Sequence, residues 1–352
     1  MYPERFLAVP DKYRGSVSAA EAAHAMAEGA RAAGWAPVEL PLSDGGEGTL
    51  DVFGGANVTT MVAGPLGRPV EAGWRLEGEL AVIEMARASG LSLAGGPAEN
   101  DPWAATTQGT GELIDAAIRL GARNVVVCLG GSATTDGGVG AVEALGGVPF
   151  ADRGVSVRVA CDVRTRFLDA AAVFSPQKGA TPLMIGALAH RLELVRRRFI
   201  AQYGADVNSL PGSGAAGGLA GGLAALGAEL GPGFELIASA QGLDTALLNV
   251  DAVATGEGRL DGTSFEGKVV GEVARLAQNL GLPFLAIVGS WVTGVESRLP
   301  AAVSLVEAYG DQLAWARTAE LISASTQQWL ASLASKPDVA RRPHNGGARS
   351  SP

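Results

Sequence analysis

The stretch Asn124-Val125-Val126-Val127-Cys128-Leu129-Gly130-Gly131-Ser132-Ala133-Thr134-Thr135-Asp136-Gly137-Gly138 decides the fold. It opens as an apolar, β-branched run of strand length. Its last nine residues hold four glycines, three hydroxyls and one acid, more than a turn requires. The alanine- and valine-rich Val139–Leu145 that follows can start a helix, so the loop reads as a strand-to-helix crossover. Such a crossover aims consecutive backbone N–H groups and a positive helix end at one point, which suits an anion and above all a phosphate. Ser132, Thr134 and Thr135 add hydroxyl donors, and Asp136 adds a carboxylate suited to a magnesium ion or to accepting a proton.

Outward from this loop, apolar β-rich runs alternate with helical patterns in both directions, the mark of a parallel α/β architecture. Phe6–Val9 reads as a first strand. Ser18 with Glu21 has capping-box spacing and predicts a helix to about Ala33, closed by Gly34. Val38–Leu42 reads as a second strand. Between Thr59 and Ala86, turns at Gly64-Pro65, Arg68-Pro69 and Glu77-Gly78 break the texture into short alternating runs, as in an antiparallel meander. Helix Glu112–Leu120 and strand Val157–Cys161 follow. Leu183–Tyr203 reads as a helix with Arg191 and Arg196–Arg198 on a solvated face. Gly212–Leu230 is a glycine loop feeding a helix, and Ala252–Thr255, Val269–Leu280 and Pro283–Val288 repeat strand, helix, strand. Residues 336–352 read as a disordered tail.

Composition narrows the partners. The 352 residues suit two domains. The 50 glycines follow no fixed period, which excludes collagen-like and solenoid folds. A net charge of −9 argues against nucleic acid and anionic membrane surfaces, so an anionic substrate needs a local cationic pocket. Cys128 and Cys161 read as buried thiols of a reducing compartment. His24, His190 and His344 are too far apart for metal-ligand spacing. With no secretion leader and no apolar run of membrane-spanning length, the expected location is the cytoplasm and the expected assembly a monomer or homodimer.

Further clusters point to phosphate chemistry. Pro10-Asp11-Lys12-Tyr13-Arg14-Gly15-Ser16 follows the first strand, where open α/β sheets place ligands, and Lys12 and Arg14 suit anionic oxygens. Asp44-Gly45-Gly46-Glu47-Gly48 sets two acids among glycines that permit close backbone approach, as a magnesium site or a general base needs. Thr255-Gly256-Glu257-Gly258-Arg259-Leu260-Asp261 leads to Gly262-Thr263-Ser264-Phe265-Glu266-Gly267-Lys268-Val269. Val269 stands where a P-loop needs serine or threonine, which excludes a P-loop nucleotidase and leaves Lys268 as a point charge at a helix start. Ser175-Pro176-Gln177-Lys178-Gly179 offers another lysine in a stiffened turn. Thr107 and Gly109-Thr110-Gly111 read as a helix entry, with Thr110 as its cap.

In this order the pieces resemble the type 1 family of bacterial glycerate kinases. They are the segments above together with Gly64-Pro65-Leu66-Gly67, Ile83-Glu84-Met85-Ala86, Ala160-Cys161-Asp162-Val163, Pro176-Gln177-Lys178-Gly179-Ala180 and Gly212-Ser213-Gly214-Ala215-Ala216-Gly217-Gly218. The resemblance implies a Rossmann-like α/β domain from residues 1–56 and 235–335, an inserted mixed α/β domain over 57–234, and an active site in the cleft. It implies phosphorylation of D-glycerate by ATP with Mg2+. On that reading Gly130, Gly131, Ser132, Thr134, Gly214 and Gly217 cradle phosphate or carboxylate, and Lys12, Arg14, Lys178 and Lys268 offset its charge. Asp11, Ser16 and Ser264 line the same contacts. Asp44 is the first candidate for the base and Asp136 the second, with Lys268 beside them in catalysis. Asp162 is the candidate metal ligand, and Glu257 contacts substrate or metal. The chain is shorter than the family between Gly147 and Val157, and the resemblance fades after Gly289. The alternative is a catalytically impaired, glycerate-kinase-like anion-binding or regulatory protein. A nicotinamide dehydrogenase is disfavoured because Leu260-Asp261 breaks the pattern begun by Gly256 and Gly258.

Overall fold

The computed structural model describes residues 3–46 and 48–334, so Glu47 and the expected tail at 336–352 lie outside the described residues. Packing gathers the chain into two compact units, one from Met1–Pro41 with Gly242–Pro352 and one from Leu42–Gln241. Residues 42–56 and 235–241, grouped with the chain ends at the sequence level, thus pack with the middle of the chain.

The strands in chain order are β1 (Arg5–Pro10), β2 (Ala36–Glu39), β3 (Val58–Ala63), β4 (Pro69–Glu77), β5 (Leu80–Glu84), β6 (Asn124–Cys128), β7 (Ser156–Ala160), β8 (Glu229–Gly231), β9 (Ala252–Leu260), β10 (Phe284–Trp291) and β11 (Ala302–Ser304). In the unit formed by the chain ends they make a five-stranded parallel sheet in the order β11-β10-β9-β1-β2. Phe6–Val9, Ala252–Ala254 and Ala286–Val288 are fully buried. A parallel sheet is covered on both faces, which is why these strands read as unbroken apolar runs. The second strand begins two residues before the expected Val38. Leu40 N donates to Ala8 O at 2.9 Å, and Pro41, lacking an N–H, ends the ladder.

Helix α1 (Ala19–Ala32) starts on the expected capping box, with Glu21 N donating to Ser18 Oγ at 3.2 Å and Ser18 N to Glu21 Oε2 at 2.8 Å. Its alanine face lies directly on the helix Thr318–Ala334, for a Cβ at Gly29 would come within 2.2 Å of Ser323 O.

The middle unit holds a six-stranded sheet in the order β3-β4-β5-β6-β7-β8. Its first three strands form the expected antiparallel meander, and β5 through β8 run parallel. Helix α2 spans Gln108–Arg119 and takes in the glycines read as its entry. Side chains there would strike neighbours, since a Cβ at Gly109 would meet Ala63 O at 1.9 Å. Thr110 is therefore not a cap. It is buried in the first turn, its hydroxyl 2.9 Å from Ser89 Oγ. Among the described residues no helix is long and apolar enough to cross a membrane.

Both sheets present functional segments beyond the carboxyl ends of their parallel strands, where such sheets bind ligands. Asp11–Ser16 follows β1, the glycine loop follows β6, and Cys161-Asp162 follows β7. Replacing Ser18 by Ala removes the cap of α1 and lowers the stability of that helix by about 1 kcal/mol, read as faster hydrogen exchange of its amides.

Candidate active site

The glycine loop after β6 is held from within. The Asp136 carboxylate is only 8% exposed. Its Oδ2 accepts from Thr107 N and Thr107 Oγ1, both at 2.8 Å, and from Gly140 N at 3.2 Å. Oδ1 accepts from Gly138 N at 3.0 Å. Thr107 Oγ1 in turn accepts from Ala141 N at 3.0 Å. The first amides of the short helix α3 (Val139–Ala144) are thus spent inside the protein and do not point at a ligand. Among the described residues, Gly130 N, Gly131 N and Ser132 N donate to no protein acceptor, so the front of the loop keeps its donors available.

The second glycine loop, Gly212–Gly218, packs on the back of the first. Gly137 N donates to Gly217 O at 3.0 Å, and Thr134 Oγ1 to Ala216 O at 3.3 Å. A Cβ at Gly217, where φ is +66°, would stand 1.9 Å from Thr134 O. Gly214 is equally confined, 2.3 Å from Arg166 O by the same measure. These two glycines, read as a phosphate cradle, serve close packing here. Ala216 has φ +51°, a left-handed conformation that an alanine adopts only under constraint.

In this unit a cavity of about 510 Å³ is lined by Asp44, Gly130–Ser132, Cys161, Asp162, Lys178 and Ala216. Asp44 Oδ1 accepts from Gly46 N at 3.1 Å, in a turn fixed by Ser43 Oγ, which lies 2.9 Å from Thr49 Oγ1. Asp162 is exposed at the end of β7, and its Oδ1 accepts from Gly233 N at 2.7 Å. Lys178 is 2% exposed and donates through Nζ to Thr134 O at 2.6 Å. Burial pushes its ammonium down to about 7, against the pull of Asp136. Burial also pushes the Cys161 thiol up to about 11, so it stays neutral.

Arg191 does not share the solvated face expected of it. It donates to Trp103 O at 2.7 Å and to Thr135 O, and its guanidinium sits 4.7 Å above the Trp103 ring. The signal was present, because Arg191 falls at helical spacing with the buried Leu188, Leu192 and Val195. Arg196, Arg197 and Arg198 do form surface ion pairs, with Asp206, Glu193 and Glu143.

The remaining candidates lie in the other unit. Glu257 and its flanking glycines belong to β9, which runs on to Leu260. Burial raises the Glu257 carboxyl to about 7, Asp11 and Asp261 add to the rise, and the Ser264 hydroxyl and Lys268 oppose it. Its Oε1 is buried without a partner. Beside it the buried Tyr13 hydroxyl donates to Ile287 O at 2.5 Å, and burial together with Glu257 drives its pKa well up. Asp11 Oδ1 accepts from Lys12 N at 2.7 Å. Lys268 immediately precedes helix Val269–Leu280 and donates to Thr263 Oγ1 at 3.1 Å. Ser264 is buried and its hydroxyl accepts from Asp261 N at 3.0 Å. Arg14 is exposed, and the Ser16 hydroxyl is bonded to that of Thr318.

Asp136→Asn puts an amide N–H against backbone donors. It is expected to destabilise the middle unit by about 3 kcal/mol, the scale of hydrogen bonds to a charged group. Urea denaturation checks this; unchanged stability with lost turnover would return Asp136 to proton chemistry.

Comparison with known proteins identifies the family. The chain matches the glycerate kinase family over residues 6–157 and 147–336, two stretches that overlap at 147–157, and the match continues past Gly289. It is 38% identical to the glycerate 2-kinase of Escherichia coli K12 over 81% of this chain and 85% of that protein. It is 36% identical to the glycerate kinase of Bacillus subtilis 168 over 91% of this chain and 97% of that one. A crystal structure from Salmonella typhimurium LT2, provisionally named glycerate kinase 2, superposes with a TM-score of 0.84 at 35% identity, covering 95% of this chain and 99% of the other. The chain belongs to the glycerate kinase family.

Proposed function

We propose that this chain is a type 1 glycerate kinase that transfers the γ-phosphoryl group of ATP to the 2-hydroxyl of D-glycerate in a magnesium-dependent reaction, giving 2-phosphoglycerate and ADP. Membership of the family carries the reaction class, an ATP-dependent phosphoryl transfer to glycerate. The name of the Escherichia coli relative supports the 2-hydroxyl, and the motif order supports type 1. The observation that carries the reading is the cavity, which brings an acid, open backbone amides and a buried lysine to one place.

Phosphoryl transfer spreads charge over the transferred oxygens, so the protein works mainly by positioning and by supplying donors and cations. The amides of Gly130–Ser132 take anionic oxygens, and Lys178 offsets their charge. Asp44 accepts the proton of the attacking hydroxyl, since its backbone bond orients it without saturating it. Asp136, saturated by four donors, positions the loop. Within the chain-end unit, Lys12, Arg14 and Lys268, with Asp11, Ser16, Glu257 and Ser264, form a further set of groups suited to phosphate and hydroxyl oxygens.

Magnesium, when bound, neutralises phosphate charge, and Asp162 is the residue proposed to hold it. Among the described residues no three acidic, histidine or cysteine side chains come close enough together to hold a metal ion by themselves. That fits a magnesium ion, which takes one or two carboxylates and completes its shell with phosphates and water. Both cysteines are free thiols, which supports a cytoplasmic setting. Nothing in residues 147–157 lines the cavity, so the shortening there leaves its described walls intact and speaks for an active enzyme over an impaired relative.

Purified protein with D-glycerate, ATP and magnesium should release ADP, and phosphorus NMR should show 2-phosphoglycerate rather than the 3-isomer. Binding of both substrates without ADP release would favour the impaired, regulatory reading. Asp44→Asn should lower the rate by about two to four orders of magnitude, the usual share of a positioned proton acceptor, with little change in thermal stability.

A further inference from the structure

Lys178 is the single basic side chain lining the described cavity of the middle unit. Among the described residues it has no carboxylate partner, and Nζ donates to Thr134 O alone, at 2.6 Å. Asp136 acts on it electrostatically, and the two oxygens of that carboxylate accept from Thr107, Gly138 and Gly140. The same cavity is lined by Asp44 and Asp162, with the neutral Cys161 thiol. On the helix Pro182–Tyr203, Arg191 brings a second positive charge to the same loop through Thr135 O. An ammonium this buried is disfavoured, whereas a neutral amine needs only the carbonyl it already has. An anion placed at the unused N–H groups reverses that preference.

We propose that Lys178 is the anion ligand of this cavity and rests as a neutral amine until substrate arrives, so that an anionic oxygen is captured together with one proton. The oxygen comes from the carboxylate of glycerate or from the phosphates of ATP. The proton comes from solvent onto Nζ, forming an ammonium–oxyanion pair with no other bond made or broken. This rests on the glycerate kinase reading of the cavity and adds to it a proton that the phosphoryl transfer does not require. With the empty-site amine near 7 instead of 10.5, most molecules hold neutral Lys178 at pH 8 and charged Lys178 at pH 6. Uptake is therefore large above neutrality and fades below it, and affinity weakens about tenfold per pH unit above 7.

Calorimetric titration of the wild-type protein at pH 8, in two buffers of different ionisation enthalpy, tests this. One arm uses D-glycerate and the other a non-hydrolysable ATP analogue. The arm whose anion reaches Lys178 is expected to take up most of one proton per molecule bound at pH 8 and little at pH 6. The other arm should take up almost none. Lys178→Met, with its fold verified by circular dichroism, should lose the uptake and bind that ligand at least about tenfold more weakly. Should Lys178→Met not fold, the wild-type dissociation constant between pH 6 and 9 decides, and a flat profile overturns the proposal. Binding without proton uptake in either arm overturns it as well, as does uptake that survives in a folded Lys178→Met. Turnover without uptake defeats this proposal alone, whereas a protein that neither binds nor turns over defeats the glycerate kinase reading with it.

Discussion

Asp136 accepts from Gly138 N of its own loop, from Gly140 N in the first turn of α3, and from both the amide and the hydroxyl of Thr107, at the start of α2. A buried carboxylate with that many donors is satisfied where it stands, and removing it would leave several backbone groups unpaired. The loop's shape follows from this anchor. Its rear half is spent on Asp136 and on the second glycine loop, which leaves the front amides, Gly130 to Ser132, as the part open to a ligand. The strained Ala216 belongs to the same packing, because its carbonyl receives the Thr134 hydroxyl and its neighbour Gly217 lies against the Thr134 carbonyl. Strain of that kind persists only where the surroundings over-determine the backbone, and it collects where precise geometry is used.

What the anchoring fixes also limits what the acid does. A carboxylate held by three backbone amides and a hydroxyl is committed to orienting the backbone around it. Asp44, in the cavity of the same unit, is held differently, its Oδ1 accepting from Gly46 N. A similar difference separates Arg191 from Lys178. Arg191 is stacked on Trp103 and bonded to two carbonyls, whereas Lys178 keeps donors in reserve.

Local chemistry was the legible part of the sequence. The Ser18 capping box, the meander between Thr59 and Ala86 and the buried parallel strands depend on neighbours within a few residues, and all appear as read. The ordered loops, which mark the family, were legible too. What escaped was set by partners far along the chain. Thr110 lies within a helix whose glycines are explained by Ala63 and Ala141. Gly256 and Gly258 lie inside β9 because Ile287 and Tyr13 crowd them, so a glycine pair that resembles a nucleotide turn is a strand pressed against its neighbours. Asp136 read as reactive because an acid in a glycine loop looks exposed, and only the Thr107 contact reveals it as an anchor. The closing segment past Gly289 lacks motifs, for its helix is specified by an apolar face that packs on α1 and not by particular residues.

Two buried groups, one in each unit, set how stability depends on pH. Glu257 holds its proton to about 7 in the folded chain instead of 4.5, so the fold binds more protons than the unfolded chain across that interval. Its contribution to stability therefore falls as pH rises from about 4.5 through 7 and stays low above. Lys178 releases its proton near 7 instead of 10.5, so here the unfolded chain binds more. Its contribution is lowest below 7 and recovers only as pH climbs toward 10.5. The two windows abut at neutrality, where both penalties are carried at once. Apolar residues of similar volume would carry neither. Groups that lower stability at the working pH are kept where a ligand offsets the cost, and each of these is relieved by a different kind of partner. An anion relieves Lys178, and a cation or a proton donor relieves the unpaired Oε1 of Glu257.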